Sequence, residues 1–202
     1  VYSGVKEIFQ PVSDAIKTAT KNKYTDGKEY FVYTGAIHPR KNIENAIKAY
    51  NLFRAQNEGK ILFLLAGRMA WSTKEVEKAW KESPYAEDIH FLGYLSDASI
   101  SYYLKHALAL VYISLHEGFG MPIIEAFAAE TPVITSNNGA LAEISGEGAL
   151  LVNPLDINDI ARGMNEIYEN TSLRRNLTEA GKKELARFNW DNSAKICSGI
   201  IT

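Results

Sequence analysis

Between residues 30 and 169, short apolar runs alternate with helical patterns, and this alternation constrains the fold more than any other feature. The runs Glu29–Gly35, Lys60–Gly67, Ile89–Leu95, Leu108–Ser114, Pro132–Ser136 and Leu150–Val152 read as strands. Leu108–Ser114 is continuous in apolar and β-branched residues rather than alternating, which marks a strand buried on both faces. Strand–helix units in series predict the α/β class with a doubly wound parallel sheet, whose ligands bind outside the carboxyl ends of the strands. Ile43 to about Gln56 forms a helix with Ile43, Ala46, Ile47, Tyr50 and Phe53 on one face. Further helices are expected from Thr73 to about Glu82, capped by Ser72 or Thr73, and from Ser96-Asp97 to about His106, with Ile100, Tyr103 and Leu104 inward. A short helix over Ala140–Ile144 ends near Glu143, and two more helices cover roughly 156–169 and 172–187.

The chain is organised around His116-Glu117-Gly118-Phe119-Gly120-Met121-Pro122-Ile123-Ile124-Glu125-Ala126-Phe127, which follows the Leu108–Ser114 strand. Helix-forming and apolar residues continue to Thr131-Pro132, which stops the element. The two glycines permit backbone angles and close approaches that a side chain forbids. Pro122 suits the first helical position, where a missing N–H costs nothing. The N–H groups of that first turn, aided by the helix dipole, can hold an anion such as a phosphate. Glu117 in the loop and Glu125 one turn into the helix frame this point. Carboxylates accept well from sugar hydroxyls, so the ligand class is one with both phosphates and hydroxyls. The same pattern also occurs as plain connection chemistry in α/β proteins.

A second constellation, Pro39-Arg40-Lys41-Asn42, sits on the loop after the first strand. Arg offers a planar fork and Lys a point charge, a pair able to clamp a diphosphate; basic pairs are also common as solvated surface. Both constellations follow strand ends and therefore fall on the same edge of the sheet.

The stretch "HEGFGMPIIEAFAAETPVITSNNGALAEI", with two Glu eight positions apart, resembles the donor-site signature of the retaining glycosyltransferases of family 4, enzymes of the two-domain GT-B fold. The resemblance covers nearly the whole chain and implies the Rossmann-like C-terminal half of such an enzyme, which binds the nucleotide-sugar donor. It implies that Lys41, with Arg40 beside it on the loop after Gly35, contacts the donor diphosphate. It places Gly118, Phe119, Gly120, Met121, Pro122, Ile123 and Ile124 at the donor, Glu125 on the ribose hydroxyls and Glu117 on the donor sugar. Tyr94 and Leu95 follow the strand whose exit loop lies against the base in that family. Many members carry Arg directly after the strand glycine; here that position is Ala36, which leaves the site one cation short unless Arg40 or Arg68 compensates. Glu143 is a common feature there, read as structural support. "VYSGVKEIFQPV" resembles the segment that enters the C-terminal domain, with Phe9 and Pro11 as packing and turn residues. Residues 13–29 are polar, consistent with a short helix and a loop, and His90 reads as a packed or edge histidine. Residues 1–187 then form the core, and 188–202 a final helix that bends back onto the N-terminal domain with Trp190 as a packing anchor.

At 202 residues, 46% hydrophobic and 23% charged, the chain suits one globular domain. A net charge of −2 gives no basic nucleic-acid surface. The single Cys197 excludes an intrachain disulfide and a cysteine-cluster metal site, in keeping with a reducing, cytoplasmic location. No apolar run approaches the roughly 20 residues that span a bilayer, and no signal peptide pattern is present. The chain also has no initiator Met and reads as a piece of something longer.

The expected function is retaining transfer of a sugar from a UDP-, GDP- or ADP-sugar to an acceptor hydroxyl. The acceptor domain, and any peripheral contact with the inner membrane face, would belong to the rest of the protein. The fragment alone is expected to be inactive. No cofactor or metal is expected, because the basic loop neutralises the leaving diphosphate. Lys41, Arg40 and Glu117 are the expected catalytic group. The alternatives are another GT-B enzyme, a phosphorylase or sugar-nucleotide epimerase, and a non-catalytic nucleotide-binding module.

Overall fold

A computed structural model of the chain describes residues 4–10, 25–71, 73–190, 193–195 and 198. Pro11, residues 13–24 of the expected first helix, Ser72, Cys197 and most of the segment after Trp190 lie outside the described residues.

Six strands form one parallel sheet: β1 (Tyr30–Thr34), β2 (Leu62–Ala66), β3 (Ile89–Gly93), β4 (Ala109–Tyr112), β5 (Val133–Ser136) and β6 (Ala149–Val152). Their spatial order is β3-β2-β1-β4-β5-β6, so the winding reverses between β1 and β4. All residues of β1, β2, β4 and β5 are buried, which is why these strands are continuously apolar in sequence. The edge strands β3 and β6 are only partly covered. His90, on β3, is exposed and faces the Glu87 carbonyl at 3.0 Å, an edge histidine.

Among the described residues, α1 (Ile43–Gln56), α2 (Lys74–Lys81), α3 (Asp97–His106), α4 (Met121–Ala128) and α5 (Gly139–Ser145) lie between strands, and α6 (Ile157–Glu169) and α7 (Thr171–Leu185) follow β6. Helix α1 packs on α2 and α6, whereas α4 packs on α3, α5 and α7, so helices cover both faces of the sheet. The face expected for α1 is the one it buries, Ile43, Ala46, Ile47, Tyr50 and Phe53, with Ala49 added. Beneath it Phe53 meets Phe31 edge-on at 5.3 Å and Tyr168 at 5.6 Å, and Tyr50 lies 5.4 Å from Phe63. Such offset and edge-on pairings add to the area the rings bury. On α3, Leu104 is fully buried while Ile100 and Tyr103 are half-buried.

Two expectations about helix starts need correction. Thr73 stands before α2 but makes no capping bond; its hydroxyl instead donates to Glu77 at 3.2 Å. Its ψ of 6° lies outside the extended region that a capping side chain usually requires. Pro122 occupies the second position of α4 rather than the first, because Met121 already has helical geometry. Ser96 caps α3 as expected, accepting from the Ser99 N–H at 3.3 Å.

The carboxyl ends of β1 and β2 pinch together just below the ligand edge of the sheet. Gly35 N–H donates to the Ala66 carbonyl at 2.9 Å, and a Cβ on Gly67 would stand 1.7 Å from the Gly35 carbonyl oxygen. That is far inside van der Waals contact with backbone that is itself hydrogen-bonded, so Gly67→Ala should destabilise the fold by about 2–4 kcal/mol. Denaturant unfolding of the variant measures this, and an unchanged midpoint would show that the pinch relaxes freely.

Candidate functional site

The loops after β1 and β4 meet where the strand order reverses, the usual place for a ligand in an open parallel sheet. Their backbones are joined directly by the Leu115 N–H, which donates to the Arg40 carbonyl at 2.8 Å. Asn42 adds a side-chain tie, its Nδ2 donating to the Ile113 carbonyl at 3.2 Å and to the Pro154 carbonyl at 2.7 Å. It is buried and adopts a left-handed φ of 62°, a conformation Asn tolerates better than most residues. Sequence reasoning assigned Asn42 no role. Its type, directly before a helix and after a basic pair, was the available signal.

Arg40 and Lys41 lie in a short 3-10 turn, Pro39–Lys41, whose start is held by His38 Nδ1 accepting from the Arg40 N–H at 3.3 Å. Lys41 is only 7% exposed. Its ammonium donates to the Tyr112 hydroxyl at 2.6 Å and to one oxygen of the Glu117 carboxylate. The other Glu117 oxygen accepts from Arg40 Nη1 at 3.0 Å, and the same nitrogen reaches the His116 carbonyl at 3.3 Å. Burial pulls the Lys41 ammonium below the ordinary lysine value, opposed by Glu117. For Glu117, burial would raise the carboxyl, but the bond and charge of Lys41, with the charge of Arg40, outweigh it and hold the group below its ordinary value. The Tyr112 phenol, buried and close to Glu117, is pushed far up and stays neutral, a fixed acceptor for Lys41. Arg40 is half-exposed, so its guanidinium still faces outward. The Tyr112 contact was invisible in the sequence, although a tyrosine ending a buried strand needs a partner for its hydroxyl.

The donors at the start of α4 differ from the sequence expectation. Pro122 has no N–H, and the Ile123 N–H is already bonded to the Gly120 carbonyl at 2.9 Å. The side chains of Ile123 and Ile124 are fully buried. Backbone donors for an anion must therefore come from the loop Gly118–Gly120 and from Met121 at the helix start, rather than from Pro122 or Ile123. Gly120 has φ 114°, and a Cβ there would press on Leu141 at 2.9 Å, whereas a Cβ on Gly118 would meet nothing within 4 Å. The Phe119 ring packs edge-on against Phe188 at 6.0 Å, which gives it a packing contact.

Glu125 stands apart from this charge cluster. It is half-buried and has no hydrogen-bond or ion-pair partner among the described residues. Burial, and then the charge of Asp97, raise its carboxyl to about 7, with Lys6 opposing. Tyr94 and Leu95 follow β3, and Tyr94 is 82% exposed. Of the two groups expected to offset Ala36, Arg40 stands in the site; Arg68 touches the loop through its carbonyl, which accepts from the Ile37 N–H at 2.9 Å. Glu143 is exposed on α5, and its carbonyl accepts from Arg187 at 3.3 Å.

The sequence pattern described as "Glycosyl transferases group 1" matches residues 15–184. The chain belongs to this family of glycosyltransferases. The O-antigen chain mannosyltransferase B of Escherichia coli is similar, 31% identical over 163 residues, which span 81% of this chain and 43% of that protein. The O-antigen chain mannosyltransferase RfbU of Salmonella typhimurium is 28% identical over 186 residues, 91% of this chain and 50% of that protein. The chain thus spans no more than half the length of either relative. Among solved structures, sucrose-phosphate synthase of Thermosynechococcus elongatus superposes with a TM-score of 0.84 at 26% identity, covering 98% of this chain and 50% of that one. Anabaena HepE, solved with UDP and glucose, superposes with a TM-score of 0.87 at 18% identity, covering 100% and 56%, a likeness of fold. The group 1 glycosyltransferase fold is therefore the six-stranded Rossmann-like half described above. No helix among the described residues is long and apolar enough to cross a membrane.

Glu125, unpartnered among the described residues, has a consequence for the stability of this chain. Burial pushes its carboxyl up to about 7 in the folded chain, well above the ordinary carboxylate range near 4.5. Between those values unfolding releases a proton, so stability falls as pH rises through that window and stays lowered above it. Glu125→Gln removes the ionisation. The variant should melt higher than the parent at pH 8 and show little of that advantage at pH 4.5. An equal difference at both pH values would mean that Glu125 is ionised in the folded protein throughout.

Proposed function

We propose that this chain is the donor-binding half of a retaining glycosyltransferase that moves a sugar from a nucleoside-diphosphate sugar to an acceptor hydroxyl. The observation that carries the reading is the convergence of Arg40, Lys41 and Glu117 between the carboxyl ends of β1 and β4, with Glu125 one turn into the adjoining helix. A diphosphate is the anion that such a spread of cations and loop N–H groups fits, and a ribose is the hydroxyl donor that suits an unpartnered carboxylate. The UDP and UDP-glucose complexes of the similarly folded HepE support a nucleotide sugar, and the mannosyltransferases among the relatives make mannose the first sugar to test.

In the ligand-free site, Glu117 pairs with both cations and leaves the cluster one positive charge in excess. When donor diphosphate arrives, its oxygens accept from Arg40 and from the Gly118–Met121 loop, and Lys41 stays aimed by Tyr112. As the bond from the sugar to the diphosphate breaks, negative charge grows on the leaving phosphate. Fixed cations there stabilise the transition state more than the ground state. Lone pairs of Glu117 released from Arg40 become acceptors for hydroxyls of the donor sugar. The basic loop performs the neutralisation for which other transferases use a divalent metal. Glu117 and Glu125 bind and position; they are not the acid and nucleophile of a hydrolase. The acceptor, and the domain that holds it, would belong to the rest of the protein.

In the full-length protein, Lys41→Ala should nearly abolish turnover, and Glu125→Ala should raise the donor dissociation constant by roughly tenfold or more. Wild-type donor affinity should fall as pH drops below about 7, where Glu125 becomes protonated and accepts less strongly. That pH dependence should be absent in Glu125→Gln. Unchanged turnover in Lys41→Ala together with unchanged donor affinity in Glu125→Ala would refute the assignment.

A further inference from the structure

The sheet edge opposite the donor cluster carries a cavity of about 580 Å³, within the range of small-ligand sites. Glu29, Leu108 and Pro132 line it and directly precede β1, β4 and β5. The cavity therefore lies at the amino ends of these strands, whereas the donor cluster lies beyond carboxyl ends. Its charged groups are unevenly paired. Lys182 takes two of the lining carboxylates, Glu130 at 2.9 Å and Glu179 at 3.0 Å. Lys105, Arg174 and Arg175 are left with Glu29, and none of these four makes an ion pair among the described residues.

Arg174 is held in place without losing its charge. Its Nη1 donates to the Ile167 carbonyl and to the Tyr168 carbonyl at 2.8 Å, near the end of α6, and its Nη2 to Thr171 Oγ1 at 2.9 Å. All three acceptors are neutral. Of the five guanidinium N–H groups, the one on Nε and one on Nη2 remain, side by side on one edge. That edge is the fork that takes two oxygens of a phosphate or carboxylate. Lys105 donates to another neutral acceptor, the Ile8 carbonyl, at 3.1 Å. Burial alone pulls its ammonium below the ordinary lysine value, with no carboxylate opposing. Arg175 is exposed. Capping of α6 explains the Nη1 bonds of Arg174, but neither its free edge nor the two further cations around the same hollow.

We propose that this cavity is a second ligand site, separate from the donor site, which takes a sugar phosphate monoester. A phosphate monoester carries between one and two negative charges near neutral pH and presents three acceptor oxygens. Two can meet the Arg174 fork while Lys105 and Arg175 serve the third, which answers all the uncompensated cations. A monocarboxylate has too little charge and too few oxygens for that. Glu29 can only accept when ionised, so it suits hydroxyls on the same ligand rather than a bare phosphate. The site does not depend on the roles assigned to Glu117 or Glu125.

Titration calorimetry of the full-length protein with mannose 6-phosphate, ribose 5-phosphate, inorganic phosphate and acetate tests this. The parent is compared with Arg174→Lys, Arg175→Gln, Glu29→Gln and Lys41→Ala, each checked for an unaltered circular dichroism spectrum. At least one sugar phosphate should bind about tenfold or more tightly than inorganic phosphate, and acetate more weakly than either. Arg174→Lys keeps the charge but loses the fork, and Arg175→Gln removes an exposed cation. Each should weaken the sugar phosphate by about tenfold. Glu29→Gln should erase most of the advantage over inorganic phosphate, whereas Lys41→Ala should leave the binding unchanged. Failure of both sugar phosphates to bind overturns the site, as does binding that survives both arginine changes or disappears in Lys41→Ala. Equal affinity for inorganic phosphate and both sugar phosphates overturns the sugar assignment and the role of Glu29.

Discussion

The site depends on one buried charge that has to be paired. Lys41 lies beneath the loop it starts from, and an ammonium removed from water without a counter-charge would lose its proton or force the chain open. Glu117 and the Tyr112 hydroxyl satisfy it from the loop and strand on the far side of the winding reversal. The pairing therefore draws together two segments 76 positions apart and fixes the width of the crevice between β1 and β4. Arg40 can remain half-exposed because its neighbour is secured.

The two glutamates of the central motif, alike in sequence, end in opposite electrostatic states. Glu117 sits between two cations and stays ionised, while Glu125, eight positions on, is half-buried, has no partner among the described residues and resists ionisation. One is satisfied by the protein and the other by whatever enters. An uncompensated carboxylate is a standing cost to the folded chain, the kind of local strain proteins keep where binding requires it.

Much of this was legible in the sequence. The continuous apolar runs gave the strands, because a sheet covered on both faces needs no alternation, and the α1 face followed from its 3.6-residue period. Arg40, Lys41, Glu117 and Glu125 were visible as loop and helix-start residues after strands, and the order of strands brought them to one edge. Three things were not legible. The Ile123 N–H looked available because sequence cannot say which backbone groups a turn uses for itself. Asn42 drew no reading because its partners, Ile113 and Pro154, are distant in the chain. The fastening of the leading segment to α3 was hidden because the Ile8 carbonyl and its partners Ser101 and Lys105 lie 93 and 97 positions apart.

The double bond made by the Asn42 amide also limits how this site can change. A single side chain links the loop after β1 to the end of β4 and, through Pro154, to the turn that follows β6. These three connections cannot lengthen or shorten independently, since moving any one of them strands a buried amide hydrogen. New donor preferences in this scaffold should therefore arise more readily by side-chain exchange on loops of constant length than by insertion. Any transplant of the basic loop into another protein would have to carry its two partner loops along.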